Sequence, residues 1–454
     1  MRRAVIVGGG ISGLAAAYEL ARAHVPCALI ERSPRLGGVI RTERIGGCLV
    51  EAGPDSFLAE KPWASELIRE LGLAGEIIGS NDRERVTYVL KRGRLRPLPD
   101  GLMMMVPTRV WPVLTSRLLG FGTKWRMATE WFHRPRRAGQ DRSVAEFVSE
   151  HYGREAVDYL AEPLLAGVYG GDASELGVAA VLPRFLELER RYGSLTRGLL
   201  VARRTGGLRR AGSLFETLRD GLGRLVEVLA AEVRRCGEIL YAEAETVERM
   251  PTGYRVRASG QWLSAEHIVL ACPAWEAARV VRALDPVLSD LLEAIPYRGS
   301  ITVSLGYPRS LVHPMPRGFG FLVPKCERHR LLACTWVGAK FPHREPPYML
   351  LMRCFLGGDD LLGADEHEIT DVVRHELARI LDVRAEPSFV RVARWPRSMP
   401  QYTVGHRERV EAVRARLAAW PGLLVAGNAY EGIGVPDCVR SGRESARRIL
   451  AQLG

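Results

Sequence analysis

The sequence predicts an α/β fold: a parallel, nucleotide-binding sheet assembled from both ends of the chain, with a mixed-sheet domain and a helical subdomain between them. Three observations lead there. Ala4-Val5-Ile6-Val7 is an apolar run that enters Gly8-Gly9-Gly10-Ile11-Ser12-Gly13 directly, and residues 14–23 then read as an alanine-rich helix. Near the other end, Leu423-Leu424-Val425-Ala426 stops on Gly427, a loop containing Gly432, Ile433 and Gly434 follows, and a helix opens near Val435. Between them lie a mostly helical stretch over about 108–200 and an alternation of strands and helices over 286–404.

Taken in order, the first device is Rossmann-like. Gly8 permits a tight turn, Gly10 lets the backbone approach a pyrophosphate, and Gly13 lets the helix pack close to the strand. Cys27-Ala28-Leu29-Ile30-Glu31 is the second strand, and Glu31 stands eighteen residues after Gly13. A carboxylate there accepts both hydroxyls of an adenosine ribose and repels a 2′-phosphate. Arg35-Leu36-Gly37-Gly38-Val39-Ile40-Arg41-Thr42 resembles the second phosphate-contacting loop of the flavoprotein superfamily that includes the amine oxidases. No second GxGxxG occurs, so a separate NAD(P)H site is not indicated and the expected cofactor is FAD, bound non-covalently.

Residues 87–90 and 94–98 predict a hairpin turning at Arg92-Gly93, and 143–152, 156–165 and 178–189 predict helices. Over 213–236 apolar residues at 214, 218, 222, 225, 226, 229 and 233 follow a helix period. Short strands at 239–241 and 254–258 precede His267-Ile268-Val269-Leu270-Ala271-Cys272-Pro273, which reads as a return to the cofactor sheet. Strands at 301–307, 331–337, 349–355 and 389–394 and a helix at 367–381 suit a separate substrate domain. The expected division is a discontinuous FAD-binding domain (1–80, 201–285, 405–454), a substrate domain (81–107, 286–404) and a helical subdomain (108–200).

A chain of 454 residues has room for two or three domains and a large core. The net charge of +12 is carried almost wholly by arginine, lysine occurring only at 61, 91, 124, 325 and 340. Such an excess suits an anionic membrane surface or an acidic small molecule; without a basic block interleaved with aromatics, nucleic acid is the poorest partner. The eight cysteines show no metal-ligand spacing, and His367 and His375 sit eight apart on one predicted helix, a solvated face rather than a metal site. No secretory signal or transmembrane run is present, so a reduced, cytoplasmic enzyme without metal is expected. Residues 101–121, apolar but broken by Pro107, Arg109, Pro112 and Arg117, read as a pocket wall or subdomain core, with peripheral contact to a membrane surface as the alternative.

Four stretches carry a closer resemblance: Glu51-Ala52-Gly53-Pro54-Asp55-Ser56-Phe57, Leu165-Ala166-Gly167-Val168-Tyr169-Gly170-Gly171-Asp172, Pro400-Gln401-Tyr402-Thr403-Val404-Gly405-His406, and residues 427–442 with Pro436-Asp437-Cys438 and Ser441-Gly442. Through essentially its whole length the chain resembles the porphyrinogen oxidases of the haem pathway, which act on protoporphyrinogen IX or coproporphyrinogen III, within the amine oxidase superfamily. One departure is Leu218-Arg219-Asp220-Gly221-Leu222, where that family has a glycine pair. The resemblance implies flavin contacts at Gly8, Gly9, Gly10, Ile11, Ser12, Gly13, Glu31, Arg32, Gly37, Gly38, Gly53, Pro54, Asp55, Ser56, Val247, Gly432, Ile433, Gly434 and Val435, joined by Gly427 at the end of the last strand. It also implies that the Gly167 carbonyl meets the substrate's pyrrole N–H groups.

The chemistry asks little of acids and bases. Removing hydride from a methylene bridge of a porphyrinogen leaves a cation delocalised onto pyrrole nitrogen, so the protein must position that carbon over the flavin and exclude water. Molecular oxygen would then reoxidise the cofactor and give hydrogen peroxide. Asp55 is the candidate charge, accepting pyrrole N–H and countering the developing cation, or else it caps a turn. The helix from Val435 would set partial positive charge near the flavin. Two rivals stand beside this reading. An amine oxidase would need a lysine near the flavin and an aromatic cage, for which the few lysines here are poorly placed. A non-catalytic flavin-binding scaffold would not turn over. Coproporphyrinogen III, with four propionates, suits the arginine-rich charge better than protoporphyrinogen IX. Met103, following Leu98-Pro99-Asp100-Gly101-Leu102, removes an arginine with which some members hold a propionate. Handover to a later haem-pathway enzyme is a further expected contact.

Overall fold

Val5, Ile6 and Val7 are buried on both faces of their strand, and that strand lies within the first sheet. In the computed structural model, which describes residues 2–135, 139–204 and 212–453, Arg2–Val7 pairs in parallel with Cys27–Glu31 on one side and Gln261–Leu270 on the other. Glu238–Tyr241 extends the sheet beyond Cys27–Glu31, and Leu423–Val425 pairs in parallel with residues 268–270. These parallel strands end on one edge, where ligands of open α/β sheets bind. The earlier half of Gln261–Leu270 instead pairs antiparallel with Tyr254–Ala258, which pairs with Ala244–Arg249, a strand the sequence reading missed.

The helix after the first strand, Ile11–Arg22, packs against the C-terminal helix Val435–Leu453 and against Gly223–Cys236. Two close approaches fix that layer. A Cβ on Gly13 would lie 1.9 Å from the Gly8 carbonyl oxygen, and one on Gly442 would lie 2.1 Å from the Ser12 carbonyl oxygen. The first turn of the N-terminal helix therefore abuts the second turn of the C-terminal helix, about four hundred residues later in sequence.

The second seven-stranded sheet runs in the order Phe389–Pro400, Tyr297–Pro308, Met349–Leu356, Leu331–Trp336, Gly320–Leu322, Thr87–Lys91, Arg94–Pro97. It is antiparallel except where Gly320–Leu322 joins Thr87–Lys91. The 301–307, 331–337, 349–355 and 389–394 strands and the 87–98 hairpin all fall in it, and Glu366–Leu381 packs on Phe389–Pro400.

Three helix expectations need correction. The 213–236 segment is not one helix: Phe215–Leu218 is a strand between Phe57–Leu58 and Ile77–Gly79, and the helix begins at Gly223. Leu214 and Leu218 matched the helix period by accident; in the strand the adjacent Thr217 and Leu218, on opposite faces, are both buried, and Glu216 is half-buried toward Ser65. The 156–165 helix is interrupted by a π-helical turn at Val157–Ala161 before Glu162–Tyr169, whose first turn accommodates Pro163. The 178–189 helix divides into Val178–Val181 and Pro183–Tyr192, because the residue before a proline is driven out of the helical region. Residues 205–211, which fall at the start of the expected second FAD-binding segment, lie outside the described residues, and Leu195–Arg204 still packs with the helical subdomain.

Phe147, Tyr152, Leu160 and Leu195 of the helical stretch pack in one core cluster that also takes in Val89, Val106 and Tyr402. Beside it stands an ion cluster that the sequence did not reveal. The His151 Nδ1 and Nε2 atoms lie 3.0 Å from Glu130 and 3.2 Å from Glu189, and His133 is close by. Burial alone would lower the His151 pKa, but the two carboxylates raise it. His367 and His375, by contrast, are exposed. The 101–121 stretch is two-sided: Met105, Val106, Val113, Leu118 and Leu119 enter the core, while Val110, Trp111, Leu114 and Phe121 face outward. Among the described residues, no helix is long and apolar enough to cross a membrane.

Candidate active site

The two glycine loops predicted to hold a pyrophosphate meet. The Gly37 N–H donates to the Gly9 carbonyl at 2.8 Å, and Gly38 lies against the Gly10 Cα. Arg35 fastens the second loop from beneath, donating to the carbonyls of Gly38 and Ile40. Glu31 turns back over the first loop, its two oxygens accepting the Gly9 N–H at 2.7 Å and the Ser33 N–H at 2.8 Å. A carboxylate offers about four lone-pair sites, so capacity for two ribose hydroxyls remains. A Cβ added at Gly10 or at Gly427 would meet nothing within 4 Å, so both strand-end loops face open space. That open cradle, bounded by backbone N–H groups and two helix N-termini, fits a dinucleotide diphosphate.

At the C-terminal device, Gly427 donates its N–H to Ser441 at 3.2 Å. The 428–434 loop is shaped by Tyr402, whose hydroxyl donates to the Asn428 carbonyl at 2.7 Å and accepts the Gly432 N–H at 2.8 Å. Tyr402 stacks on His406 with ring centres 4.0 Å apart, and burial pushes the His406 imidazole down to about 4, so it is neutral at pH 7. Gln401 donates to the Tyr169 carbonyl at 2.8 Å. Three of the four stretches that carry the family resemblance thus converge on adjacent residues, 401 and 402. Asp437, in the first turn of the C-terminal helix, accepts from Lys61 at 2.6 and 2.8 Å and from the Gly434 N–H at 3.3 Å. Ile433 packs toward the helical subdomain, while Val435 and Ser12 are buried at the interface of the two helices. Tyr430 is a core residue.

Gly167 is exposed in the last turn of Glu162–Tyr169, and its carbonyl accepts no hydrogen bond among the described residues. The last carbonyls of a helix are free acceptors at the negative end of its dipole. Val247 is buried in Ala244–Arg249, paired with Val256, and Arg32 pairs with Glu276 beside Trp275.

The fourth stretch, 51–57, is held by groups that sequence reasoning missed. The Asp55 carboxylate accepts from Lys340 Nζ at 3.0 and 3.2 Å and from the Ser56 hydroxyl at 2.7 Å, with Arg353 at 3.8 Å. Arg353 also donates to the Gly53 carbonyl. Arg344 donates to the Asp55 carbonyl at 2.8 Å, to Thr217 at 2.7 Å and to Glu51 at 3.3 Å. Burial would raise the Asp55 carboxyl, but Lys340, Arg353 and Arg344 hold it well below the usual carboxylate range. The side chain neither stands alone as a counter-ion nor caps a turn; it is the hub of an ion cluster. Of the lysines, Lys325 is exposed and paired with Asp172, whereas Lys340 is buried against Asp55. Nothing in the local sequence marks Lys340, because the fold, not the motif, brings residue 340 to residue 55.

This arrangement coincides with a known family. The flavin-containing amine oxidoreductase family model matches residues 11–450. The chain belongs to that family. Its cofactor is FAD, and it is a flavin-dependent oxidoreductase. Within the family it is similar to the coproporphyrinogen III oxidase of Bacillus subtilis (strain 168), at 32% identity over 100% of this chain and 98% of the relative. A crystal structure from Exiguobacterium sp. 255-15, assigned to protoporphyrinogen oxidase, superposes with a TM-score of 0.87 at 32% identity, covering 99% of both chains. A putrescine oxidase shares the family fold at 18% identity and a TM-score of 0.72, covering 99% of both chains.

Proposed function

We propose that this chain is an oxygen-dependent porphyrinogen oxidase that takes coproporphyrinogen III to coproporphyrin III by a six-electron oxidation, releasing hydrogen peroxide. The observation that supports this most is the full-length 32% identity to a coproporphyrinogen III oxidase, against 18% for an amine oxidase of the same fold. FAD is held non-covalently by Gly8–Gly13, Glu31, Arg32, Gly37, Gly38, residues 53–56, Val247, Gly427 and residues 432–435. With it we propose the domain division read from the sequence: 1–80, 201–285 and 405–454 for FAD, 81–107 and 286–404 for substrate, 108–200 helical.

Bound FAD supplies the hydride acceptor and the route for electrons to oxygen. The chain's own part is positioning and charge. The Gly167 carbonyl, at the negative end of its helix, accepts pyrrole N–H and is favoured further as the macrocycle becomes cationic. Gln401, by holding the Tyr169 carbonyl, fixes the direction in which that helix ends. Asp55 serves substrate through its cluster rather than as an isolated base, since Lys340 already engages both its oxygens.

Steady-state oxygen uptake with both porphyrinogens tests the reading. Coproporphyrinogen III is expected to exceed protoporphyrinogen IX in kcat/KM by roughly tenfold, the difference expected for about 1.4 kcal/mol of transition-state binding to the added carboxylates. Equal values or the reverse order would reassign the substrate to protoporphyrinogen IX, the activity assigned to the Exiguobacterium structure. Turnover of amines alone, or none at all, would leave the amine oxidase or the scaffold.

The proposed location is cytoplasmic with peripheral membrane contact, and handover of the porphyrin to a later haem-pathway enzyme. Trp111, Phe121, Trp125 and Phe132 are 63–82% exposed, and Arg109, Arg117, Arg126 and Arg134 are exposed around them. Aromatic rings with surrounding cations suit an anionic lipid interface. Cosedimentation with phosphatidylserine-containing vesicles is expected for the wild type and at least tenfold weaker for Trp111→Ala/Phe121→Ala/Trp125→Ala. Binding unchanged by the triple substitution, or absent in the wild type, would exclude this surface.

A further inference from the structure

The ion cluster behind residues 53–56 does not balance. Lys340, Arg344 and Arg353 face only two carboxylates, Asp55 and Glu51, and no other carboxylate pairs with these three cations among the described residues. All of these groups are inside: Arg344 and Arg353 are 1% and 5% exposed, Glu51 2%, and Lys340 9%. His343 adds no charge, since burial and Arg344 push it down to about 4. Glu51 is satisfied independently, by the Thr42 hydroxyl at 2.6 Å and the Leu222 N–H at 2.8 Å. The Nε atoms of both Arg344 and Arg353 are buried without a hydrogen-bond partner. The surplus cations lean instead on aromatic faces, Lys340 on Phe215 and Phe341 and Arg353 on Phe355, which soften a charge without neutralising it.

A buried, uncompensated charge is costly and is retained where something else answers it. Arg353 donates to the Gly53 carbonyl and Lys340 to the Asp55 carboxylate and Ser56 hydroxyl, so the surplus lies immediately behind the 53–56 loop. We propose that this cluster presents one unneutralised positive charge to the cofactor ring through residues 53–56 and thereby raises the two-electron reduction potential of bound FAD. The proposal rests on residues 53–56 contacting the flavin, as in the function proposed above. Reduction adds negative charge to the ring, and a fixed cation nearby lowers the free energy of that state without reorganisation. Lys340 is accordingly an electrostatic positioning residue rather than one that touches substrate.

The test is the midpoint potential of the purified holoenzyme, measured by equilibration with a redox dye. Lys340→Met removes the surplus and is expected to shift the reduction equilibrium at least tenfold toward oxidised FAD, about 30 mV lower for a two-electron couple. Asp55→Asn enlarges the surplus and is expected to move the potential upward, and Lys340→Arg to restore the wild-type value. If Lys340→Met fails to fold, the upward shift of Asp55→Asn decides alone. Potentials that do not move, or that move in the same direction in both variants with full FAD content, would overturn the inference while leaving the proposed function standing. A wild type that binds FAD but oxidises no porphyrinogen would overturn the function while leaving the potentials interpretable.

Discussion

Asp55→Ala is expected to cost about 3–5 kcal/mol of stability, the usual consequence of removing one partner from a buried charge pair. The substitution leaves Lys340 without any carboxylate and Arg353 without its nearest one, each at most one-tenth exposed, and it takes away the acceptor of the Ser56 hydroxyl. Asp55→Asn retains the shape and one acceptor oxygen, so its loss should be roughly half as large. Thermal or urea unfolding of the holoenzyme measures both. Should Asp55→Ala melt with the wild type, the cluster is not the support that its geometry describes, and any drop in turnover would have to come from Asp55 itself.

Gly13→Ala is expected to weaken FAD binding by roughly 100-fold, about 2.7 kcal/mol. The added Cβ would stand 1.9 Å from the Gly8 carbonyl oxygen, and that obstacle is backbone in the tightest turn of the site. Helix and strand must separate, which carries the N–H groups of the helix away from the pyrophosphate. Gly442→Ala should reproduce the loss from the far end of the sequence, because its Cβ would meet the Ser12 carbonyl oxygen at 2.1 Å. The absorbance ratio of flavin to protein after purification and an FAD titration of the apoprotein read the effect. Full FAD occupancy with an unchanged Kd in Gly13→Ala would show that the layer is more yielding than its packing indicates.

Legibility in the sequence followed the range of the interactions involved. Strand–glycine–helix devices are local, so Gly8–Gly13, Glu31 and the Gly427–Val435 loop could be read directly. The strand at 267–273 was recognisable as a return to the sheet because a strand buried on both faces is apolar throughout. Phe215–Leu218 was lost because Leu214, Leu218 and Leu222 sit four apart, a helical spacing, and only pairing with Leu58 and Gly79 resolves it. Lys340, Arg344 and Arg353 had no local signal at all. Their meaning comes from Asp55, some three hundred residues earlier, and a charge is recognisable as buried only once its neighbours are known. Tyr402 and Gln401 fall between these cases: their stretch resembled the family's, yet the hydroxyl that shapes the 428–434 loop has no signature in spacing.

The close approach of Gly442 in Val435–Leu453 to Ser12 in Ile11–Arg22 also sets an order of events. The loop at Gly8–Gly13 leaves the ribosome early, but its neighbours at Ser441 and Gly442 are made about four hundred residues later, and Leu423–Val425 is the last strand to join the sheet. At roughly 5–20 residues per second, the half-built cradle waits on the order of 20–80 s for its closing helix. FAD capture is therefore expected only after Val435–Leu453 has been made, and a chain cut before Leu423 is expected to keep most of the fold elements and lose FAD binding.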